Sequence, residues 1–492
     1  TGFRDPRHHI CQKQIPIPKI TERYARADMV CFSCMTSWSD FTKHIIGLVR
    51  KRNPDIYIVW GGIHPIIHPN DAIEHADAIC VGEGEVAFKE FFNAFKSGGD
   101  YTSTKNFWFR NNDEIIKNTF LPLHTSEELN EFPFPLYADN EIIFKSGRGF
   151  FPLSPMEYVT ERGLGYSTIW SIGCPYKCTY CSNDIFITND KKYKRVRHTS
   201  VDYIIGEVKS VLKKHPHISV IPFHDDSFMA IPYPVLEEFA VKWKKEIGLP
   251  FSVLGLIPVY VKREKLELLI WAGMNRVRMG IQSGSDRILK FYNRPNKPGV
   301  IKKSTSIIGD FKDYMIPPAY DIILDNPIET RQDVIDTLEL IYEMPRPFTL
   351  NIFALRVIPN TKLADDLEKA NFNIPDIRTN YLHTTPTLAN TMVHLLTFFK
   401  PPRWIFEKTL KGAKPFTEKQ RMYPISHFLF RLLFLSKRAF DHLRYMDFSV
   451  LPGKIGFLFW KIGLIQFWYK YILKKPPKEK PSKTLDLSKH KV

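Results

Sequence analysis

Cysteine is scarce in this chain of 492 residues: there are seven, an odd number, which excludes a disulfide framework of the secreted kind. A reducing, cytoplasmic setting is the expectation. No cleavable leader is visible in the sequence either: Thr1–Arg26 is polar, basic and rich in His and Pro. Position 1 lacks a methionine, which points to a fragment at the N-terminus. The longest apolar run, Ile455–Leu473, is interrupted by Lys461, Gln466 and Lys470, so it does not read as a bilayer span. Acidic residues are outnumbered, 52 against 69 Lys and Arg, for a net charge of +17. The excess gathers around Lys400–Arg403, Lys408–Lys419 and Lys474–Lys491. Such a skew fits an anionic partner surface, either acidic lipid or an acidic substrate, or else a solvated basic tail. No nucleic-acid-binding motif accompanies it, so nucleic acid is not an expected partner. What remains is a globular composition, 44% hydrophobic and 25% charged, long enough for two or three domains.

Three of the seven cysteines stand together. Cys174, Cys178 and Cys181 lie in GCPYKCTYCSN, directly after the strand-like run Tyr166–Ile172. Thiolates spaced by four and then three residues can face one side of a tight loop. That suits a cubane iron–sulfur cluster whose fourth iron has no protein ligand. A structural zinc site needs four closed ligands, and no fourth cysteine or nearby His-x-His pattern supplies one. The spacing Cys-x-x-x-Cys-x-x-Cys, with Tyr180 before the last cysteine, resembles the cluster loop of radical S-adenosylmethionine enzymes. The resemblance implies a [4Fe–4S] cluster on Cys174, Cys178 and Cys181, with S-adenosylmethionine chelated at the open iron. It also implies reductive cleavage to methionine and a 5′-deoxyadenosyl radical that takes a substrate hydrogen. An anaerobic enzyme and a reducing electron donor such as flavodoxin or ferredoxin follow.

The N-terminal third alternates strand and helix. Asp28–Thr36 reads as a buried parallel strand, Asp40–Lys51 as a helix, Ile56–Trp60 and Ala78–Val81 as strands, with a helix running to about Phe95. This order predicts a doubly wound sheet with ligands at the carboxyl ends of its strands. Ser33, Gly61-Gly62 and Gly82-Glu83-Gly84 stand at those ends, where glycine lets backbone approach a ligand. The set resembles the cobalamin-binding domain that precedes the barrel in one class of radical S-adenosylmethionine enzymes. It implies cobalamin beside Ser33, Gly61 and Gly62. No Asp-x-His-x-x-Gly cobalt-ligating motif is present, and many members of the class lack it. His64, before a proline, reads as a loop-capping residue. The proline-broken Phe132–Tyr137 reads as an interdomain linker.

Between Ser167 and Ala370 six strand–helix repeats predict a partial (β/α)6 barrel of the TIM type, with the chemistry at strand carboxyl ends. Strands end near Gly173, Phe223, Pro258, Ser283, Asp325 and Val357. The resemblance assigns S-adenosylmethionine contacts to six of the residues here. Asp225 and Asp226 would face its amino group, with helix capping by one of them as the alternative. Gln282 and Ser283, beside Gly280, would meet the ribose or the methionine carboxylate. Arg294 would grip that carboxylate with a bidentate fork. Ile323 would pack on the adenine, and Glu329 would open the next helix at its positive end. Asp325 or Asn326 stands where the family commonly has Gly, and Asn360 replaces Gly in a turn where left-handed backbone is tolerated by Asn.

After about Phe372 the repeats stop, and Leu388–Phe399, His427–Phe440 and Ile455–Leu473 read as helices. Two readings of Ile455–Leu473 stay open: an interfacial helix with Trp460, Trp468, Tyr469 and Tyr471 at headgroup level, giving peripheral membrane contact, or a lid on the barrel mouth. Lys474–Val492 reads as disordered. The expected division is 1–98 cobalamin-binding-like, 99–165 linker, 166–372 barrel, 373–473 helical and 474–492 tail. The function expected from the resemblance is cobalamin-dependent C-methylation of a small-molecule or lipid-like substrate. Radical cyclisation or rearrangement without methyl transfer is the alternative. A cluster-bearing electron-transfer or sensor protein is the reading from another class, and it leaves Asp225, Asp226, Gln282 and Arg294 without a purpose.

Overall fold

Along one strand, Ile58 and Trp60 point to one face of a sheet and Tyr57 and Val59 to the other, and apolar cores cover both faces. The computed structural model describes residues 17–472 and 477–481, apart from 113, 137–140, 146–148, 295, 373–382 and 445–452. Strands β1 (Met29–Ser33), β2 (Tyr57–Gly61) and β3 (Ala78–Cys80) run parallel, close to the expected bounds. Helix Ser39–Arg52 and the short helices Ile63–Ile67 and Pro69–Ile73 lie between them in the chain, and the first packs Ile45, Ile46 and Val49 on the sheet. Helix Glu85–Ser97 covers the opposite face with Ala87 and Phe91.

Two features of this sheet differ from the expectation. A doubly wound sheet reverses its strand order at a switch point, whereas here the order runs one way, β1-β2-β3-β4-β5, among the described residues. The last two strands, β4 (Phe107–Asn111) and β5 (Glu114–Lys117), are antiparallel and fall inside the segment read as linker. Their signal was legible: Phe107 and Phe109 alternate with Trp108, and both phenylalanines are buried against Phe91. Beyond them come a capped turn of helix at Ser126–Leu129, a hairpin of β6 (Ile142–Lys145) and β7 (Gly149–Pro152), and helix Pro155–Arg162. Within the proline-broken stretch, Phe134 lies against Gly206, where a Cβ would come within 2.8 Å of its ring.

The second sheet is wholly parallel. Its strands β10 (Ile221–Phe223), β11 (Phe251–Leu256), β12 (Met274–Gln282), β13 (Ala319–Leu324) and β14 (Thr349–Ala354) stand in sequence order. A sixth segment joins beside β10 through bridges from Gly165 to Val220 and Thr168 to Phe223. It then leaves the sheet as β8 (Ser171–Ile172), which pairs antiparallel with β9 (Arg197–His198). Helices Val201–Lys214, Tyr233–Glu246, Arg263–Ala272, Asp286–Phe291, Arg331–Glu343 and Lys362–Lys369 connect or follow these strands as expected. A further helix, Pro298–Gly309, was hidden behind the prolines of NRPNKP. The arc resembles a (β/α) barrel core, and among the described residues no ladder joins β14 back to the first segment.

Downstream lie helices Leu388–Phe398, Arg403–Gly412 and Pro424–Arg444. The expected single helix at Ile455–Leu473 is instead two, Gly453–Lys461 and Leu464–Tyr471, broken at left-handed Gly463. The hairpin is not a lid on the barrel mouth. Trp460, Trp468 and Tyr469 are partly buried against the main core and Ile465 is fully buried, whereas Tyr471 of the same expected set is 59% exposed. Trp460 Nε1 donates to Pro216 O at 3.2 Å, just before β10 and so at the amino end of the sheet, away from the mouth. The basic tail lies outside the described residues except 477–481. Among the described residues no helix is long and apolar enough to cross a membrane.

Candidate functional site

The three cysteines follow β8 at the carboxyl end of the parallel sheet. Gly173 begins the loop with φ of +105°, and a Cβ there would lie 2.6 Å from Arg195 O, so only glycine fits. One turn, 291–294, holds the loop in place. Thr179 N donates to Tyr292 O at 3.0 Å, Thr179 Oγ1 donates to Phe291 O at 3.2 Å, and Asn293 Nδ2 donates to Lys177 O at 2.8 Å. Cys174 and Cys178 are buried and Cys181 is half-buried. Burial pushes the Cys174 thiol up to about 11 and the Cys181 thiol up to about 12. A cluster takes its ligands as thiolates, so loading it releases protons from Cys174 and Cys181. Among the described residues no three His, Cys, Asp or Glu side chains converge tightly enough for a single ion. A cluster asks something else of its ligands, one thiolate on each of three separate irons, and the loop fits that demand.

Around this loop the structure brings together only some of the residues singled out from the sequence. Arg294 is buried, and its Nη1 reaches Cys178 Sγ at 3.6 Å and Tyr180 Oη at 2.9 Å, while Nη2 donates to Gly280 O at 2.6 Å. Its Nε has no partner. Gln282, at left-handed φ of +68°, folds back toward the same point. A Cβ on Gly280 would lie 2.5 Å from Gln282 Nε2 and 3.1 Å from Arg294 Nη2, so the bare glycine is where the two side chains meet. Ile323 shares an apolar cluster with Tyr180 and Tyr292, whose rings sit edge to face at 5.0 Å.

The adjacent carboxylates separate. Asp225 turns inward, 1% exposed, and accepts from Trp170 N at 3.2 Å, Ser171 N at 2.6 Å and Ser171 Oγ at 2.5 Å. Burial raises its pKa to about 6 although these donors pull it down. It clamps β8 to the end of β10. Asp226 is exposed at the mouth and accepts from Asn183 Nδ2 at 3.0 Å. Their backbone presses on β11: a Cβ at Gly255 would sit 1.7 Å from Asp225 O. An isolated glycine inside the run FSVLGL was the available signal for that contact. Ser283 is fully buried with Oγ 3.1 Å from Thr337 Oγ1.

The next turn corrects the role expected of Glu329. The helix Arg331–Glu343 is opened by Asp333, which accepts from Thr330 N at 2.7 Å and Thr330 Oγ1 at 2.6 Å. Glu329 is buried instead, and desolvation, with Asp333 and Asp325 adding to it, raises its pKa to about 8. Asp325 adopts φ of +58° without glycine's help. Its carboxylate accepts from Thr385 N at 2.7 Å and Asn390 Nδ2 at 2.6 Å, which ties the downstream helices to the mouth.

In the N-terminal sheet, Ser33 and Gly61 are register partners, and Gly62 follows at φ of +85°. A Cβ on Gly62 would meet Ser33 Oγ at 2.7 Å and Cys34 N at 2.9 Å. An open pocket of about 520 Å³ lies here, lined by Ser33, Cys34, Trp38, Gly62 and Ile63 among others. Its size and bare backbone fit one end of a large ligand such as cobalamin. Gly82-Glu83-Gly84 is not part of it: Glu83 Oε1 accepts from Arg197 Nη2 at 2.6 Å, tying this sheet to the barrel. His64 does not cap a loop either. It is buried in helix Ile63–Ile67, with Nε2 2.8 Å from Asp71 Oδ2. The same helix touches Asn183–Asn189, the helix leaving the cysteine loop. Asn360, left-handed at φ of +61° as anticipated, donates from Nδ2 to Ile67 O at 2.8 Å.

Comparison with known proteins agrees with this geometry. Residues 168–341 match the Radical SAM superfamily and residues 9–92 match the B12 binding domain. An uncharacterized methyltransferase, PH0819, of Pyrococcus horikoshii is 26% identical over 328 residues, covering 66% of this chain. The chain in turn spans 65% of that protein's length. Among solved structures, the cobalamin-dependent S-adenosylmethionine radical enzyme OxsB, with aqua-cobalamin and S-adenosylmethionine bound, superposes with a TM-score of 0.59 at 15% identity. That match covers 94% of this chain and 70% of OxsB. The radical S-adenosylmethionine methyltransferase TsrM from Kitasatospora setae, with tryptophan and a SAM analog bound, gives 0.57 at 16% identity, over 72% of this chain and 68% of its own. At such identities the two likenesses speak for the fold.

Proposed function

We propose that this chain, which belongs to the radical SAM superfamily of enzymes and carries an N-terminal B12-binding domain, cleaves S-adenosylmethionine reductively and methylates an unactivated carbon of a small-molecule or lipid-like substrate. The observation that carries the reading is the meeting of two strand-end sites. The cysteine loop leads into helix Asn183–Asn189, and the Gly62 pocket leads into helix Ile63–Ile67, which touches it. When bound, a [4Fe–4S] cluster supplies an electron to the sulfonium and cobalamin supplies a transferable methyl group. Cys174, Cys178 and Cys181 would hold the cluster. Asp226, which also accepts from Asn183, is the carboxylate that would receive an amino group. Arg294 holds a positive charge beside Cys178 with Nε in reserve, and Gln282 lies next to it. Ser33, Gly61 and Gly62 would bound the cobalamin site, and Ile323, beneath Tyr180, would lie under the adenine. Asp225 and Ser283 support the mouth from behind. A reducing donor of the flavodoxin or ferredoxin kind would supply the electron.

The test is anaerobic reconstitution of the cluster followed by assay with S-adenosylmethionine and candidate substrates. 5′-Deoxyadenosine together with S-adenosylhomocysteine is the expected product pair. 5′-Deoxyadenosine alone, from protein loaded with cobalamin, turns the reading to radical cyclisation or rearrangement.

A further inference from the structure

Helix Pro424–Arg444 presents an apolar face to solvent, not to the protein. Its inward side is held by His427 and Phe434, which lie against His394 of helix Leu388–Phe398. Outward stand Ile425, Phe428, Leu429, Leu432, Leu433 and Phe440, from 49% to 76% exposed. At 100° per residue these six share one arc along the helix. Arg431 and Arg438 border that arc on one side, Arg444 and Lys437, the latter ion-paired to Asp441, on the other. The 21 residues make a face about 31 Å long. From Lys400 to Val492 there are twenty-one Lys and Arg against six Asp and Glu, which is +15 of the chain's +17.

We propose that this helix docks the protein in the plane of an anionic lipid bilayer. An apolar stripe bordered by cations fits the boundary between acyl chains and acidic headgroups. A second copy of the chain would set one strongly cationic segment against another. Among the described residues no helix is suited to crossing the bilayer, so the contact is with its surface. The anchor is thus a different element from the Ile455–Leu473 segment, whose Trp460 and Trp468 lean on the main core.

Co-sedimentation of the full, cluster-loaded chain with phosphatidylcholine vesicles, with and without phosphatidylglycerol and at low and high salt, tests this. Binding is expected to the anionic vesicles and to weaken at high salt. Phe428→Ser with Leu432→Ser should lower affinity at least about tenfold, because two side chains no longer leave water. Leu433→Ser with Phe440→Ser repeats the test on the same face should the first pair misfold. Ile455→Ser with Ile462→Ser, at exposed positions of the hairpin outside the proposed face, should change nothing. The proposal is overturned by absence of vesicle binding, by equal loss in the hairpin variant, or by a dimer that the face substitutions disperse while vesicles are ignored.

Discussion

At the ends of β1 and β2 the chain offers backbone; at the ends of the barrel strands it offers side chains. Gly62 leaves a place where any Cβ would strike Ser33 and Cys34, beside a pocket of about 520 Å³. In the barrel mouth Asp226, Gln282 and Arg294 stand on a close-packed frame, with Gly255 and Gly280 absorbing the crowding. The difference matches two kinds of ligand. A large one needs room and is bounded by what the chain omits, while a small charged one needs donors and acceptors at set positions. Adding atoms should damage the first region, and removing or misplacing hydrogen-bonding groups should damage the second.

The largest effect expected is in the barrel mouth. Cys174→Ala, Cys178→Ala or Cys181→Ala should each abolish the broad visible absorbance of the reconstituted cluster and all S-adenosylmethionine cleavage, because no spare cysteine lies adjacent. A variant retaining full cleavage would remove the cluster from this loop. Next comes the N-terminal pocket. Gly62→Val adds a branched side chain at φ of +85° against atoms 2.7 to 2.9 Å away. Cobalamin affinity should fall at least about a hundredfold from overpacking and left-handed strain together. Cluster absorbance should be unaffected, and cobalamin retained at full occupancy would break the contrast between the regions.

Arg294→Lys should weaken S-adenosylmethionine binding by about tenfold to a hundredfold, because a point charge replaces a fork that reaches Tyr180, Cys178 and Gly280 at once. Equilibrium binding with the cluster intact measures it, and unchanged affinity reduces Arg294 to a structural part of the loop. The smallest effect on chemistry is expected from Glu329→Gln. The folded-state pKa of Glu329 is raised from 4.5 to about 8, with burial the main cause. Its contribution is therefore complete below about pH 4.5 and lost as pH rises through 8. The wild-type urea midpoint should fall across that window and that of the Gln variant should not, a difference on the order of 5 kcal/mol at pH 8.5. Parallel pH profiles would show that Glu329 is not held neutral.

Much of the frame was legible because it rests on local pattern. The parallel strands, most barrel helices and the left-handed turn at Asn360 follow from apolar runs and turn chemistry confined to a few residues. The strands at 107–117 and the helix at Pro298–Gly309 were legible in part, the first as alternation and the second obscured by prolines. The split between Asp225 and Asp226 was not. Neighbours in a strand-end turn point to different sides, and which side is inward depends on β8 and β11, residues 171 and 255, which lie far along the chain.

By itself the sequence determined the three-cysteine loop, the succession of strands and helices and the charge of the last 93 residues, since spacing, period and composition are properties of a segment. Only the tertiary structure decided which polar groups are spent and which are available. It gave Asp225 to β8, Ser283 to Thr337, Glu83 to Arg197 and Asp325 to the downstream helices, and left Asp226 at the mouth. It also turned Trp460 and Trp468 of the aromatic hairpin toward the core and the apolar face of helix Pro424–Arg444 outward. The physical reason is the cost of burying an unpaired polar group, which is met or not met by partners the chain brings from a distance.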